Sequence, residues 1–133
     1  MKKFNCVLLV DDDQVSNFLH RQVLEEMHIA DHLHESCNGY EALSFVKEHC
    51  VPLEMTECPD LILLDIKMPV MNGFEFLEEL KEYEKKMNRK LKVVIVSSST
   101  NPQDREQSQT FPIDGYIDKP LSASKLENVM NSY

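Results

Sequence analysis

Three short hydrophobic runs in this chain each stop abruptly at polar side chains suited to chemistry. Val7-Leu8-Leu9-Val10 runs into Asp11-Asp12-Asp13, Leu61-Ile62-Leu63-Leu64 into Asp65, and Val93-Val94-Ile95-Val96 into Ser97-Ser98-Ser99. Runs of this length, apolar at every position and bounded by polar residues, read as strands buried on both faces of a parallel sheet. In an open parallel sheet, ligands gather beyond the carboxyl ends of the strands. Carboxylates and a hydroxyl would therefore converge at one end of one sheet. Such a place suits a divalent cation and a phosphoryl group.

Helical patterns fill the spaces between the strands. Asp13 is a good helix cap, and Val15, Phe18, Leu19, Val23, Leu24 and Met27 follow at helical spacing. A weaker strand is expected over residues 32–36, mainly from its place between two helices. Asn38-Gly39 reads as a turn, after which Ala42, Leu43, Phe45 and Val46 line a second helix. Residues 50–59 are polar with two prolines and read as a loop. Asn72 caps a third helix that turns Phe74, Phe76, Leu77 and Leu80 inward. A wholly polar fourth helix is expected near 102–109, a short fifth strand at Tyr116-Ile117, and a last helix over 122–130. Five strands alternating with five helices imply an α/β fold: a doubly wound parallel sheet with helices on both faces. Without repeats, low-complexity tracts or a linker, residues 1–133 are expected to form one domain with no effector domain attached.

Composition excludes several function classes. A formal net charge of -9 and a pI near 4.9 argue against a nucleic-acid face, which needs clustered Lys and Arg. The densest basic group, Lys85-Lys86 with Arg89-Lys90 and Lys92, sits beside a Glu-rich stretch and reads as a solvated helix end. No stretch approaches the roughly 18 apolar residues that span a bilayer, and the N-terminus lacks the pattern of a signal peptide. The chain is expected in the cytoplasm. Cys6, Cys37, Cys50 and Cys58 match no thiol-pair or zinc spacing. Cys50, Cys58 and His49 offer a conceivable metal set; free thiols in a reducing compartment are the simpler reading. His20, His28, His32, His34 and His49 form no triad or ligand pattern and receive no role.

The strand-end groups suit phosphoryl transfer. Mg²⁺ takes oxygen ligands and keeps several waters, which fits Asp65 and Asp12, with or without Asp11. A carboxylate is also a nucleophile able to form an acyl phosphate. Such a transfer depends on positioning and on neutralising the phosphoryl oxygens. Lys119, at the end of the fifth strand, supplies a positive charge, and the Ser97 hydroxyl supplies a hydrogen bond. Met68 and Met71 read as packing beneath the site, since Mg²⁺ avoids sulfur.

At these residues the chain resembles a response-regulator receiver domain of two-component signalling, in particular a stand-alone, chemotaxis-regulator-like one. The resemblance rests on Val7–Asp13, on Leu64-Asp65-Ile66-Lys67-Met68-Pro69-Val70-Met71-Asn72-Gly73, and on Asp118-Lys119-Pro120, in order and at family spacing. It implies an acidic pair at Asp11 and Asp12, a phosphoacceptor at Asp65, a switch hydroxyl at Ser97, the family lysine at Lys119 and a switch aromatic at Tyr116. It also implies that the backbone carbonyl of Lys67 completes a site for Mg²⁺ or Mn²⁺. The flavodoxin-like strand order 2-1-3-4-5 is implied in the same way. So is the function: Asp65 takes a phosphoryl group from a histidine kinase or histidine phosphotransfer protein. The chain, a monomer or weak dimer, then signals to a separate protein without acting as a turnover enzyme.

Each assignment has a plainer competitor. Asp11–Asp13 could be a helix cap with extra acids drawn by the macrodipole, but that leaves Asp65, after a second buried run, unexplained. Ser98 and Ser99 read as loop or capping hydroxyls. Tyr116 could be an ordinary half-buried strand tyrosine, and Lys119 a surface lysine, though Pro120 points to a fixed turn with a cis bond. Two departures from the family pattern stand out. Ser98 replaces a usually small, often Ala, residue. Residues 110–115, with Pro112, replace an Ala-Gly-rich approach to the fifth strand, which leaves the fourth helix's length and orientation open. A small Mg²⁺-dependent phosphatase or phosphotransferase also uses strand-end aspartates, but it needs a paired Asp-x-Asp and a cap; here Asp65-Ile66-Lys67 stands in that place. A receiver-like binding module that is never phosphorylated is a further alternative, weakened by the complete acceptor set.

Overall fold

Each buried run becomes a central strand in the computed structural model, which describes residues 4–50 and 57–131. In chain order the elements are β1 (Phe4–Val10), α1 (Gln14–Met27), β2 (Ala30–Ser36), α2 (Gly39–His49), β3 (Leu61–Leu64) and α3 (Gly73–Met87). There follow β4 (Lys92–Ser97), α4 (Pro102–Ser108), β5 (Gly115–Asp118) and α5 (Ala123–Met130). The strands form one sheet in the order β2-β1-β3-β4-β5, every pair parallel. This is the expected doubly wound α/β architecture.

Alternation along the strands divides the interior into two layers. Leu8, Val10, Ile62, Leu64 and Ile95 face α2 and α3, where Val46, Phe76 and Leu80 meet them. Val7, Leu9, Leu63, Val94 and Val96 face α1 and α5, against Leu24, Leu126 and Met130. Full burial on both faces is why these runs carry no polar residue until they end. Register aligns those ends: Val10 pairs with Leu64, Leu64 with Ile95, and Ser97 with Asp118. The residues just beyond therefore share one rim.

The helices start where their caps dictate. Asp13 accepts from Val15 N, Asn38 from Glu41 N, Asn101 from Gln103 N and Ser122 from Lys125 N. Asn72 and Glu75 form a reciprocal capping box on α3. α4 is present despite its polar sequence, since Asn101 caps it and Pro102 has the φ its first turn needs. The Lys119–Pro120 bond is cis.

Three expectations need correction. Val15, Phe18 and Leu19 do not face the core; they are 65%, 56% and 52% exposed. α1 instead buries Asn17, His20, Leu24 and Met27, because the Asn17 amide donates to Asp11 O at 2.9 Å and fixes the helix rotation. Asn38-Gly39 opens α2 rather than forming a separate turn. A Cβ on Gly39 would lie 2.7 Å from Met71 O, so only glycine permits this approach. Finally, Cys50 and Cys58 are joined in a disulfide, leaving Cys6 and Cys37 as thiols. The bond removes both sulfurs from any metal set with His49. Most of the loop expected over 50–59 lies outside the described residues.

Candidate functional site

Asp11 is fixed from three sides at the end of β1. Its amide donates to Ser36 O, its carbonyl accepts from Asn17, and its Oδ1 accepts from Asp13 N at 2.9 Å. Asp65, beyond β3, donates its amide to Val10 O at 2.9 Å, and its Oδ1 accepts from Ile66 N at 2.9 Å. Gly73 closes the loop behind it: its amide donates to Ile66 O, and a Cβ there would collide with Asp65 O. Both carboxylates are buried, whereas Asp12 is exposed at the rim.

Lys119 crosses the sheet end to reach them. Its ammonium lies 2.7 Å from Asp11 Oδ2, 3.8 Å from Asp65 Oδ2 and 3.4 Å from Ser16 Oγ. Its amide donates to Ser97 O at 2.9 Å, which ties the lysine to the end of β4. Ser97 is buried, and its Oγ accepts from Ser99 N at 3.0 Å. Asp11, Asp12, Asp65, Ser97 and Lys119 line one open cleft of about 480 Å³.

The electrostatics of the cleft are unbalanced toward negative charge. Oxygens of Asp11, Asp12 and Asp65 come within 4.8 Å of one another. Burial first, and then the Asp11 charge, push the Asp65 carboxyl up to about 6; Lys119 and the Ile66 amide oppose that rise. Among the described residues only the Lys119 ammonium contacts this trio, Lys67 turning to Asp104. An excess of negative charge therefore remains that a hard, oxygen-seeking divalent cation fits.

Other expected residues stand further out. Lys67 lines the cleft with an exposed side chain, its ammonium 3.9 Å from Asp104. Tyr116 lies away from the cleft, half-buried against the α2–α3 layer, with the Arg105 guanidinium 4.5 Å from its ring centroid. Met68 and Met71 pack against that layer, as expected. Val70, in the loop after Asp65, has φ 68°, a strained value for a β-branched residue, and Met71 N bonds Pro69 O across it. Sequence reasoning missed Ser16, Asp104 and Arg105. Ser99, read as a loop or capping hydroxyl, does accept from Asn101 N at 3.2 Å, but its link to Asp104 was not foreseen. Ser99 Oγ donates to Asp104 at 2.5 Å, and Arg105 lies 3.7 Å from Asp118. An acid in the first turn of α4 was the one available signal, and it names no partner.

The model of the response regulator receiver domain family matches residues 7–131. The chemotaxis protein CheY of Halobacterium salinarum is 35% identical over 116 residues, covering 86% of this chain and 84% of that protein. A two component response regulator from Cytophaga hutchinsonii superposes with a TM-score of 0.84 at 31% identity, over 98% of this chain and 97% of that one. The receiver domain of the histidine kinase CKI1 from Arabidopsis thaliana, complexed with Mg²⁺ and BeF3-, gives 0.85 at 25% identity, over 96% and 88%. The family match runs from within β1 to the end of α5, so it encloses both the sheet and its acidic rim. This chain belongs to the response regulator receiver domain family and is a module of two-component signalling.

Proposed function

We propose that Asp65 accepts a phosphoryl group from a phosphohistidine of a histidine kinase or histidine phosphotransfer protein. The observation that carries this is the lysine shared by Asp11 and Asp65 at 2.7 and 3.8 Å, inside a cleft ringed by three acids. A carboxylate pushed up to about 6 is still mostly ionised at neutral pH and hence a nucleophile. One Asp65 oxygen bonds to phosphorus as the phosphorus–nitrogen bond breaks, and the departing imidazole keeps the bond's electron pair and takes a proton from solvent. Lys119 meets the charge on the phosphoryl oxygens, and the Ser97 hydroxyl donates to one of them once the product has formed.

Receiver domains hold Mg²⁺ at such an acid cluster, and here Asp11, Asp12 and Asp65, with the Lys67 carbonyl, would hold Mg²⁺ or Mn²⁺. The bound ion supplies two positive charges against the phosphoryl oxygens. The donor's approach is supported by α1, whose exposed Val15, Phe18 and Leu19 begin two residues past Asp13. Beside them, Leu19, His20, Val23, Pro120 and Leu121 line a groove of about 480 Å³ between α1 and the start of α5. An apolar helix face next to a charged cleft suits a helical partner that presents a histidine. After transfer, Ser97 moves toward the phosphoryl group, and Tyr116 repacks on the face formed by α4, β5 and α5, which meets a separate target.

Receiver domains are signalling proteins rather than turnover enzymes, so the test follows modification of the chain itself. With acetyl phosphate and Mg²⁺, intact mass should rise by one phosphoryl group that hydroxylamine removes. Asp65→Asn should show no gain. Equal labelling of that variant would overturn the assignment.

A further inference from the structure

We infer a second cation site, for a divalent ion of the Zn²⁺ or Cu²⁺ type, formed by His32, His34 and Glu57 at the outer edge of the sheet. β2 is an edge strand, and residues two apart on a strand share a face, so His32 and His34 lie side by side. Both turn to one carboxylate oxygen. Glu57 Oε1 lies 3.3 Å from His34 Nε2 and 3.9 Å from His32 Nδ1. Two imidazoles and a carboxylate are donors that borderline ions take readily and Mg²⁺ does not. The three side chains are 50%, 32% and 40% exposed in the order His32, His34, Glu57, so an ion reaches them directly from solvent.

The surroundings hold two of the three donors in place. The His34 ring packs against Phe45 at 4.8 Å, and Phe45 stacks on His49 at 4.0 Å. His49 Nδ1 in turn lies 3.0 Å from Phe45 O, which pins that stack to α2. Glu57 directly precedes Cys58, whose disulfide to Cys50 fastens it to the end of α2. The His34–Glu57 contact already has the separation of two ligands around one ion. Closure requires the more exposed His32 ring to swing inward. The ion then takes the place of the proton between His34 and Glu57, and water fills the remaining position.

This site is separate from the phosphoryl cleft and owes nothing to the function proposed above. His32 pairs with Cys6 and His34 with Leu8, whereas the cleft begins past Val10 and Ser36. Four residues of strand, roughly 13 Å at about 3.3 Å each, separate His32 from Ser36. The acid cleft is a hard oxygen set; the edge site is nitrogen-rich. The two should therefore sort cations by chemistry. A bound ion would cross-link β2 to the chain entering β3.

The test uses the full chain with its disulfide intact and enough Mg²⁺ to fill the acidic cleft, into which zinc chloride is titrated. Calorimetry should then show one Zn²⁺ per chain, and NMR should show the imidazole nitrogens of His32 and His34 shifting together. His32→Ala with His34→Ala should weaken binding at least tenfold, since even outer-sphere changes at metal sites reach that size. Glu57→Gln provides a variant that keeps a hydrogen-bonding group opposite His34; it too should bind Zn²⁺ more weakly. Shifts confined to the surroundings of Asp11, Asp12 and Asp65 would overturn the proposal, as would unchanged affinity in both variants.

Discussion

Asp65 must be both buried and charged to serve as an acceptor, and that conflict has a measurable signature. Its folded value near 6 lies above the ordinary carboxyl value of 3.8. Between those two values the folded chain binds more protons than the unfolded one, so this group's contribution to stability falls as pH rises from about 4 to 6. A rise of that size corresponds to about 3 kcal/mol at most. In metal-free buffer, thermal midpoints of wild type and Asp65→Asn should diverge through that window, the variant becoming the more stable by about 2 kcal/mol at neutral pH. Parallel curves would mean that the Asp65 carboxylate is not strained. The acids, Ser97 and Lys119 were legible as single residues because each ends an uninterrupted apolar run or precedes a constrained proline. Ser16, Asp104 and Arg105 were not, because their roles come from partners brought close only by the fold. The same holds for Glu57, which is too far in sequence from the His32–His34 pair to signal a common point.

At the scale of elements, β3 and β4 are legible almost to the residue, since burial on both faces leaves a continuous apolar pattern. β1 starts at Phe4, before its apolar run, and the half-exposed edge strands β2 and β5 extend beyond 32–36 and 116–117. α1 is legible as a helix, but its rotation is not. Periodicity locates two stripes, and the Asn17–Asp11 hydrogen bond, invisible in sequence, decides which one faces the sheet. That choice leaves Val15, Phe18 and Leu19 outward, and it makes a prediction at this scale. Phe18→Asp should slow transfer from a phosphorylated histidine donor by roughly 5- to 30-fold, the loss of one anchoring side chain. Labelling by acetyl phosphate, which needs no docking face, should stay unchanged. Equal slowing with both donors would place the defect in the cleft and not in α1. α4 offers a second case. Ser97 accepts from Ser99, Ser99 bonds Asp104 in the first turn, and the next residue, Arg105, stacks over Tyr116. Ser97→Ala should leave Asp65 phosphorylatable while NMR shifts around Tyr116, induced by beryllofluoride, shrink. A full wild-type shift in that variant would remove the hydroxyl from the switch.

For the molecule as a whole, an excess of negative charge meets a site that concentrates it. The chain carries -9 overall, and three of its carboxylates share the end of one sheet. Any ion that binds the folded cleft and not the unfolded chain stabilises the fold by mass action, by about 2.7 kcal/mol at a hundred times its dissociation constant. Mg²⁺ should therefore raise the thermal midpoint of the wild type in a saturable manner. Asp12 is the exposed member of the trio, so Asp12→Ala changes the charge there without opening a cavity. Without metal, that variant should melt at or above the wild-type midpoint, because repulsion on Asp11 and Asp65 is relieved. With Mg²⁺ it should gain little, and its phosphorylation should be slow. An identical Mg²⁺ response in the two proteins would show that the ion's stabilising effect arises elsewhere. Asp12 would then be only part of a helix-entry acid cluster, the plainer reading that the sequence left open.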